Sequence, residues 1–255
     1  MIKRVLIPGA CAAALATALL LGAAPALAAG GGGPVGEPAK VDVGNMASLQ
    51  RGARNFMNYC SGCHSAKYVR YNQLGRDLGI TDEQLIENLM FTAEKPTETI
   101  DIAMRAADAQ RWFGQPPPDL SLITRARGAD YVFNFLRSFY VDPARPLGVN
   151  NLWLPNASMP HVLWSLQGLQ RAVYEEHEHD GVTESQFVRF ELERPGSLSP
   201  AEYDEFVRDI VNFLAYIGEP VRQQRESLGV LVIAFLLVFG VFAYLLKQEI
   251  WKDVR

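Results

Sequence analysis

The chain has 255 residues, 49% of them hydrophobic, with 24 basic and 28 acidic side chains, four histidines and three cysteines, for a net charge of −4. That balance argues against nucleic acid as a partner, and the length is enough to bury a sizeable core in one domain.

Residues 1–28 read as a cleaved secretory signal. Lys3 and Arg4 give a positive start, Cys11 to Gly22 an apolar core, and Ala26-Leu27-Ala28 a small-x-small cleavage site. Its removal leaves Cys60 and Cys63 as the only cysteines, so no structural disulfide is expected in the exported protein. Setting aside the cations of the signal and the charges of the C-terminal tail, residues 29–226 hold 19 basic and 26 acidic side chains, a net of −7. Such a surface suits a basic soluble partner, and equally well serves ordinary solubility. Residues 29–45, rich in Gly, Pro and Ala, predict a flexible mature N-terminus.

From Ala47 to Tyr59, Leu49, Ala53, Phe56 and Met57 fall at helical spacing and lead directly into Cys60-Ser61-Gly62-Cys63-His64. C-x-x-C-H is the attachment sequence of a c-type haem. Two thiols three residues apart project from one side of a single turn, where each can form a thioether with a haem vinyl group, and the adjacent histidine is delivered to the iron. A thioredoxin-like thiol pair would come with a βαβ pattern, which is missing around residue 60. A structural zinc would need two further ligands at finger spacing.

Thr81-Asp82-Glu83-Gln84 has the form of a capping box opening a short helix with Leu85, Ile86, Leu89 and Met90 on its apolar side. Gln115-Pro116-Pro117-Pro118-Asp119 cannot be helix interior. Helical period resumes from Ala129 to Phe139. Met46 and Met57 precede the haem motif, and Met90 and Met104 lie in apolar helical patterns. Met159 instead sits in the polar turn Asn156-Ala157-Ser158-Met159-Pro160-His161, where a thioether has little packing rationale. By position, Met159 and His161 are both open as a sixth iron ligand.

Leu169 to Tyr174 and the alternating run around Val188, Phe190 and Leu192 predict a small hairpin, 169–174 with 187–193, across an acidic loop Glu175–Gly181. His177 and His179 in that loop are read as solvated rather than as metal ligands. Ser199-Pro200-Ala201-Glu202 is a second capping box, with proline at the first helical position. Tyr203, Phe206, Val207, Ile210, Leu214 and Ile217 then recur at helical spacing. This helix is expected to pack on the one before the haem motif, with Arg208 and Asp209 on its polar side. Gly218 to Gln224 would link it to Leu228–Leu246, an uncharged stretch about 28 Å long as a helix, close to the roughly 30 Å core of a bilayer. Arg222 and Arg225 before it, Lys247, Lys252 and Arg255 after it, and interfacial Tyr244 and Trp251 mark a C-terminal membrane anchor. The expected divisions are 1–28 signal, 29–226 periplasmic haem domain, 227–247 membrane helix and 248–255 cytoplasmic tail. The haem side would face the periplasm of a bacterial inner membrane.

These pieces in this order resemble the cytochrome c1 family, in its proteobacterial form. They are Arg51-Gly52 through His64, Pro117-Pro118-Asp119-Leu120-Ser121, Arg125-Ala126-Arg127 through Asp130-Tyr131-Val132, Met159-Pro160, the Ser199 capping box and the C-terminal span. The resemblance covers essentially the whole mature chain. It implies a mainly α cytochrome c-type haem domain, with a small β-hairpin insertion and one C-terminal transmembrane helix. It also implies one covalent haem c on Cys60 and Cys63, with His64 and Met159 as axial ligands. Pro117 and Pro118 would lie against the haem, with a proline carbonyl accepting the imidazole N–H. Arg127 would bind a propionate, with Arg125 the nearby alternative and Tyr131 on the same edge. The loop Arg127–Asp130 is shorter than in mitochondrial members, a departure that bears on Tyr131.

The function implied is electron transfer without substrate chemistry. The electron would come from the Rieske iron–sulfur protein and go to a soluble or membrane-anchored cytochrome c, with the membrane helix beside cytochrome b. Three other readings share parts of the pattern: an anchored cytochrome c serving a different enzyme, a haem enzyme with an open sixth position, and a thiol oxidoreductase. Carbon monoxide binding and a haem stain after denaturation separate the last two from a carrier.

Overall fold

A computed structural model describes residues 36–179 and 182–253; the expected signal at 1–28, residues 29–35 of the expected flexible N-terminus, and the side chains of His177 and His179 lie outside what it describes. The rest of that N-terminus is not loose but fastened to the domain, the N–H groups of Glu37, Ala39 and Asp42 donating to Asn134, Asp130 and Asn212. The first helix, α1 (Met46–Tyr59), is capped by Asn45, whose side chain accepts the Ser48 N–H. Leu49, Gly52, Ala53 and Phe56 bury one stripe, the i, i+3, i+4, i+7 spacing that sends one helical face into a core. They meet α8 (Pro200–Gly218), which opens with the expected capping box: the Ser199 side chain accepts the Glu202 N–H, and Glu202 accepts the Ser199 N–H at 2.9 Å. Each such cap contributes about 1 kcal/mol by satisfying donors that the first turn would otherwise leave bare.

The α1–α8 contact is close because Gly52 lacks a side chain; a Cβ there would lie 2.1 Å from the Asp209 carbonyl oxygen. Phe56 and Phe213 fill the adjoining space with ring centroids 5.5 Å apart. One expectation is overturned. Asp209 is buried, not on a polar face: its carboxylate accepts Ser48 Oγ at 2.6 Å and Arg51 Nε at 2.6 Å. Arg208 is also turned inward, its guanidinium 5.3 Å from the Phe133 ring and donating to the Ala39 carbonyl. The α8 surface has two packed sides, so a polar residue can be buried wherever the neighbouring helix brings it a donor.

Between these helices the chain forms short elements. They are β1 (Ala66–Arg70), α2 (Tyr71–Leu78), α3 (Asp82–Asn88) with its capping box at Thr81, β2 (Thr99–Ile100) and α4 (Ala106–Phe113). After the proline loop come α5 (Ile123–Arg127), α6 (Ala129–Arg137), β3 (Phe139–Val141), β4 (Val149–Asn151) and α7 (Trp164–Gln167). Met104 lies in the bend before α4 rather than in a helix, and Phe139 begins β3 rather than ending α6. Strands pair antiparallel as β1 with β2 and β3 with β4, two ladders too short to leave an alternating pattern in the sequence.

The expected hairpin is present and longer than expected: β5 (Gly168–His179) pairs with β6 (Val182–Pro195). The ladder continues through Glu175 and Glu176, so the acidic stretch up to His179 is strand and not loop. The register shifts at Val173/Tyr174, opposite Phe187 and Arg189, and leaves Val188 as an extra residue. That bulge brings Phe187 and Phe190 to one side, ring centroids 4.7 Å apart, against Tyr174 and Tyr140. Gly168, at φ +95°, makes the corner from α7 into β5 where a Cβ would meet the Arg194 carbonyl at 2.3 Å.

The last helix, α9 (Arg222–Trp251), has 30 residues and is long and apolar enough to cross a membrane. Its apolar side chains from Leu228 to Leu246 are exposed, while its first turn meets the domain, with Gln223 beside Gly44 and Arg225 on Glu219. It begins earlier than the sequence suggested, so only Glu219–Val221 separate it from α8. Glu219 is held there by Arg225 at 2.6 Å and Arg125 at 3.2 Å.

Candidate haem-binding cleft

The C-x-x-C-H sequence folds as one compact turn at the end of α1. Cys60 N–H still donates to the Phe56 carbonyl, and Cys63 and His64 N–H both return to the Cys60 carbonyl at 3.0 and 2.8 Å. Ser61 Oγ donates to the Met57 carbonyl and tightens the exit from the helix. The result places Cys60, Cys63 and His64 on the wall of one largely apolar cleft, together with Tyr59 from the last turn of α1. Phe113 from α4, the loop Gln115–Pro118, Leu136 from α6, and Ser158, Met159, Pro160, Val162 and Leu163 complete the lining.

The donor set fits a c-type haem. Both thiols are free. Burial, with the neighbouring Cys63 adding to it, pushes the Cys60 thiol up to about 12, and burial also raises Cys63. A disulfide oxidoreductase needs the reverse, a thiol whose ionisation is made easier. Burial lowers His64 more than the Pro118 carbonyl and Asp119 raise it, so its imidazole is neutral and able to serve as a ligand. His64 Nδ1 lies 2.8 Å from the Pro118 carbonyl oxygen; as the carbonyl can only accept, the proton is on Nδ1 and the Nε2 lone pair is free.

Met159 reaches the same cleft from a turn built by two asparagines that the sequence reading did not single out. Asn151, fully buried, accepts the N–H groups of Trp153 at 2.9 Å and Leu154 at 3.1 Å, and donates to the Phe135 carbonyl. Asn150 accepts the Asn156 N–H at 2.8 Å, and Asn156 takes a positive φ of 66°. The Asn150-Asn151 pair was the available signal, since asparagine side chains commonly stand in for backbone in turns. His161 is two residues beyond Met159 yet outside the cleft lining, stacked on Phe139 and buried. Burial lowers its ionisation to about 4, against smaller opposing contributions from Gly168 and Gln167.

Pro117 and Pro118 line the cleft, as does Pro116. Arg125, Arg127 and Tyr131 do not. Arg125 pairs with Glu219, while the Arg127 guanidinium sits 5.6 Å from the Tyr131 ring, and Tyr131 stacks on Phe135 and meets Trp153 edge-on. Among the described residues Arg127 has no carboxylate partner. The wall residues Phe113, Leu136, Val162 and Leu163 carry no sequence signal of their own. Leu136 is held in place from α8, where Tyr203 Oη donates to its carbonyl at 2.9 Å and Arg137 grips Asp204 with two bonds.

Comparison with known proteins gives a consistent match. The family model described as the Cytochrome C1 family matches residues 41–168 and 197–254. Its gap falls on the β5–β6 hairpin. Cytochrome c1 of Allochromatium vinosum is 53% identical over 242 residues, covering 94% of this chain and 98% of that protein. The ammonia monooxygenase gamma subunit of Nitrosomonas europaea is 40% identical over 219 residues, 86% of this chain and 88% of its own length. Cytochrome c1 of Rhodospirillum rubrum is 27% identical over 243 residues, 83% of each chain.

Proposed function

The chain belongs to the cytochrome c1 family and is an electron carrier without a catalytic site of its own, and from that premise we propose how its residues do this work. Cys60 and Cys63 would hold a haem c through thioethers, and His64 and Met159 would ligate its iron. When bound, the haem supplies one-electron exchange at iron. The protein's part is to position and insulate. The Pro118 carbonyl fixes the His64 tautomer, and Asn150 and Asn151 shape the turn that presents Met159. Phe113, Leu136, Val162 and Leu163 keep water from the cleft, which disfavours the more highly charged oxidised state. Arg127 is the cation left to meet a propionate, with Arg125 committed to Glu219.

The convergence of Cys60, Cys63, His64 and Met159 on one apolar cleft, with His161 turned away, carries this reading. In the membrane, α9 is the anchor and packs beside cytochrome b, with residues 29–226 on the periplasmic side of a bacterial inner membrane and 248–255 in the cytoplasm. The electron comes from a Rieske iron–sulfur protein and leaves to a soluble or anchored cytochrome c. Purification from native membranes in mild detergent tests the assignment: b-type haem and a Rieske centre should co-migrate with the chain. Isolation with a terminal oxidase, or with neither centre, would overturn it.

A further inference from the structure

Behind Pro118, outside the cleft, Asp119 lies in a groove shared with Ser65, Lys67 and Asp101. Its Oδ2 accepts Ser65 Oγ at 2.7 Å and the Lys67 N–H at 2.9 Å, and its Oδ1 accepts the Ser121 N–H at 2.9 Å. On either side, the Leu120 N–H donates to the Ser65 carbonyl at 2.8 Å and the Tyr68 N–H to Ser121 Oγ at 3.2 Å. Residues 64–68 and 118–121 therefore run together like paired strands in which side-chain oxygens replace several backbone acceptors.

That substitution has a reason in the sequence. Pro116, Pro117 and Pro118 have no N–H, so this stretch cannot fasten itself through its own donors. The next residue that can fasten it is Asp119. Its carboxylate grips the residue immediately after His64, one position along from the carbonyl that His64 itself uses. The His64–Pro118 bond is thus closed into a small ring of covalent and hydrogen bonds, and charge-assisted bonds to a carboxylate are stronger than neutral ones.

We propose that Asp119 is a positioning residue whose carboxylate clamps the proline loop to Ser65 and Lys67, and so holds the Pro118 carbonyl on His64 Nδ1. The inference rests on His64 as the proximal ligand, as proposed above. A firm Nδ1–H···O bond makes the imidazole a more basic ligand and favours the oxidised state. Loosening the clamp shifts the reduction equilibrium towards the reduced state and exposes the Nδ1 proton.

The test uses full-length, haem-loaded chains in detergent, with ¹⁵N-labelled histidine, as wild type, Asp119→Ala, Asp119→Asn, Ser65→Ala and Asp101→Asn. Asp119→Ala should speed exchange of the His64 Nδ1 proton and favour the reduced state by about tenfold, which is about 59 mV for a one-electron couple. Ser65→Ala removes one donor and no charge, and should move both quantities the same way by less. Asp101→Asn takes a charge from the same groove, where it faces Lys67 at 3.5 Å, and should leave the proton protected. If Asp119→Ala does not load haem, Asp119→Asn and Ser65→Ala decide the matter. Unchanged exchange in the Asp119 and Ser65 variants overturns the inference. So does an Asp101→Asn shift as large as that of Asp119→Asn, which would mark a plain charge effect. A wild-type chain without covalent haem would overturn the haem reading itself, and this inference with it.

Discussion

His161 lies flat on Phe139, ring centroids 5.1 Å apart and planes 3° from parallel, and this contact turns its imidazole out of the cleft that Met159 enters. Both residues belong to one turn, yet they face opposite sides of it. His161 is a core residue, neutral at ordinary pH, and it anchors the chain just past the thioether.

Met159→Leu should therefore leave the thioether attachments intact but open the sixth position or recruit another group. Axial ligands set haem potentials over a range of about 0.8 V, so a fall of a few tenths of a volt is expected. His161→Ala should leave the potential close to wild type, while lowering stability through the lost stacking. Redox titration with optical spectra on both variants checks this. Retention of the sulfur-to-iron band in Met159→Leu would rule out Met159 as the ligand.

Asp209→Ala should destabilise the haem domain by about 2 kcal/mol. Truncation removes a carboxylate that joins Ser48 and Arg51, though Arg51 is 42% exposed and can turn to water, which keeps the loss below that of a fully buried pair. Glu205→Gln, whose side chain faces the same arginine from solvent, should change stability by less than about 0.5 kcal/mol. Denaturant midpoints of the haem-loaded variants give the comparison; equal effects would place the α1–α8 lock elsewhere.

The first turn of α8 should loosen in acid. Ser199, through its side chain and its backbone N–H, holds the Glu202 carboxyl below its ordinary value. A group depressed in the folded state stabilises fully above its unfolded value, and that contribution is lost as pH falls through the folded one. The protection of the Ser199 amide, its exchange rate measured against the intrinsic rate at each pH, should accordingly fall as pH drops below about 4.5, the ordinary glutamate value. Glu202→Gln keeps an acceptor but cannot titrate, and should flatten the profile. A profile that stays steep in that variant would assign the change to another group.

Cutting the chain after Glu219 should release a water-soluble domain that is still red. No residue of α9 lines the cleft, and its apolar side chains from Leu228 on are exposed; its contacts with the domain are confined to the first turn, at Gln223 and Arg225. The partner of Glu219 in the retained part, Arg125, remains. Ultracentrifugation and absorption spectra of the product are the measurement, and loss of haem on truncation would make α9 part of the haem fold.

What could be read from the sequence was what short stretches encode. The haem motif, both capping boxes, the proline break and the apolar span each depend on neighbours within a few residues. The hairpin could be placed from the alternation of Val188, Phe190 and Leu192, but its length could not. Glu175 and Glu176 look like loop residues, yet their side chains reach water from a strand as easily. The errors lie where distant segments meet. Asp209 reads as a surface residue until Ser48 and Arg51 arrive from α1, some 160 positions away. Asn150 and Asn151 shape the turn that carries Met159 through bonds visible only once it is folded. Arg127 is ahead of Arg125 only through the family resemblance; in the fold Arg125 pairs with Glu219, while Arg127 lies over the Tyr131 ring.

The three residues between α8 and α9 have a mechanical consequence. Even fully stretched, Glu219–Val221 reach only about 10 Å, and Glu219 is already pinned from both sides by Arg125 and Arg225. So short a leash keeps the end of α8 within about 10 Å of the first turn of α9, a close mooring rather than a long flexible stalk.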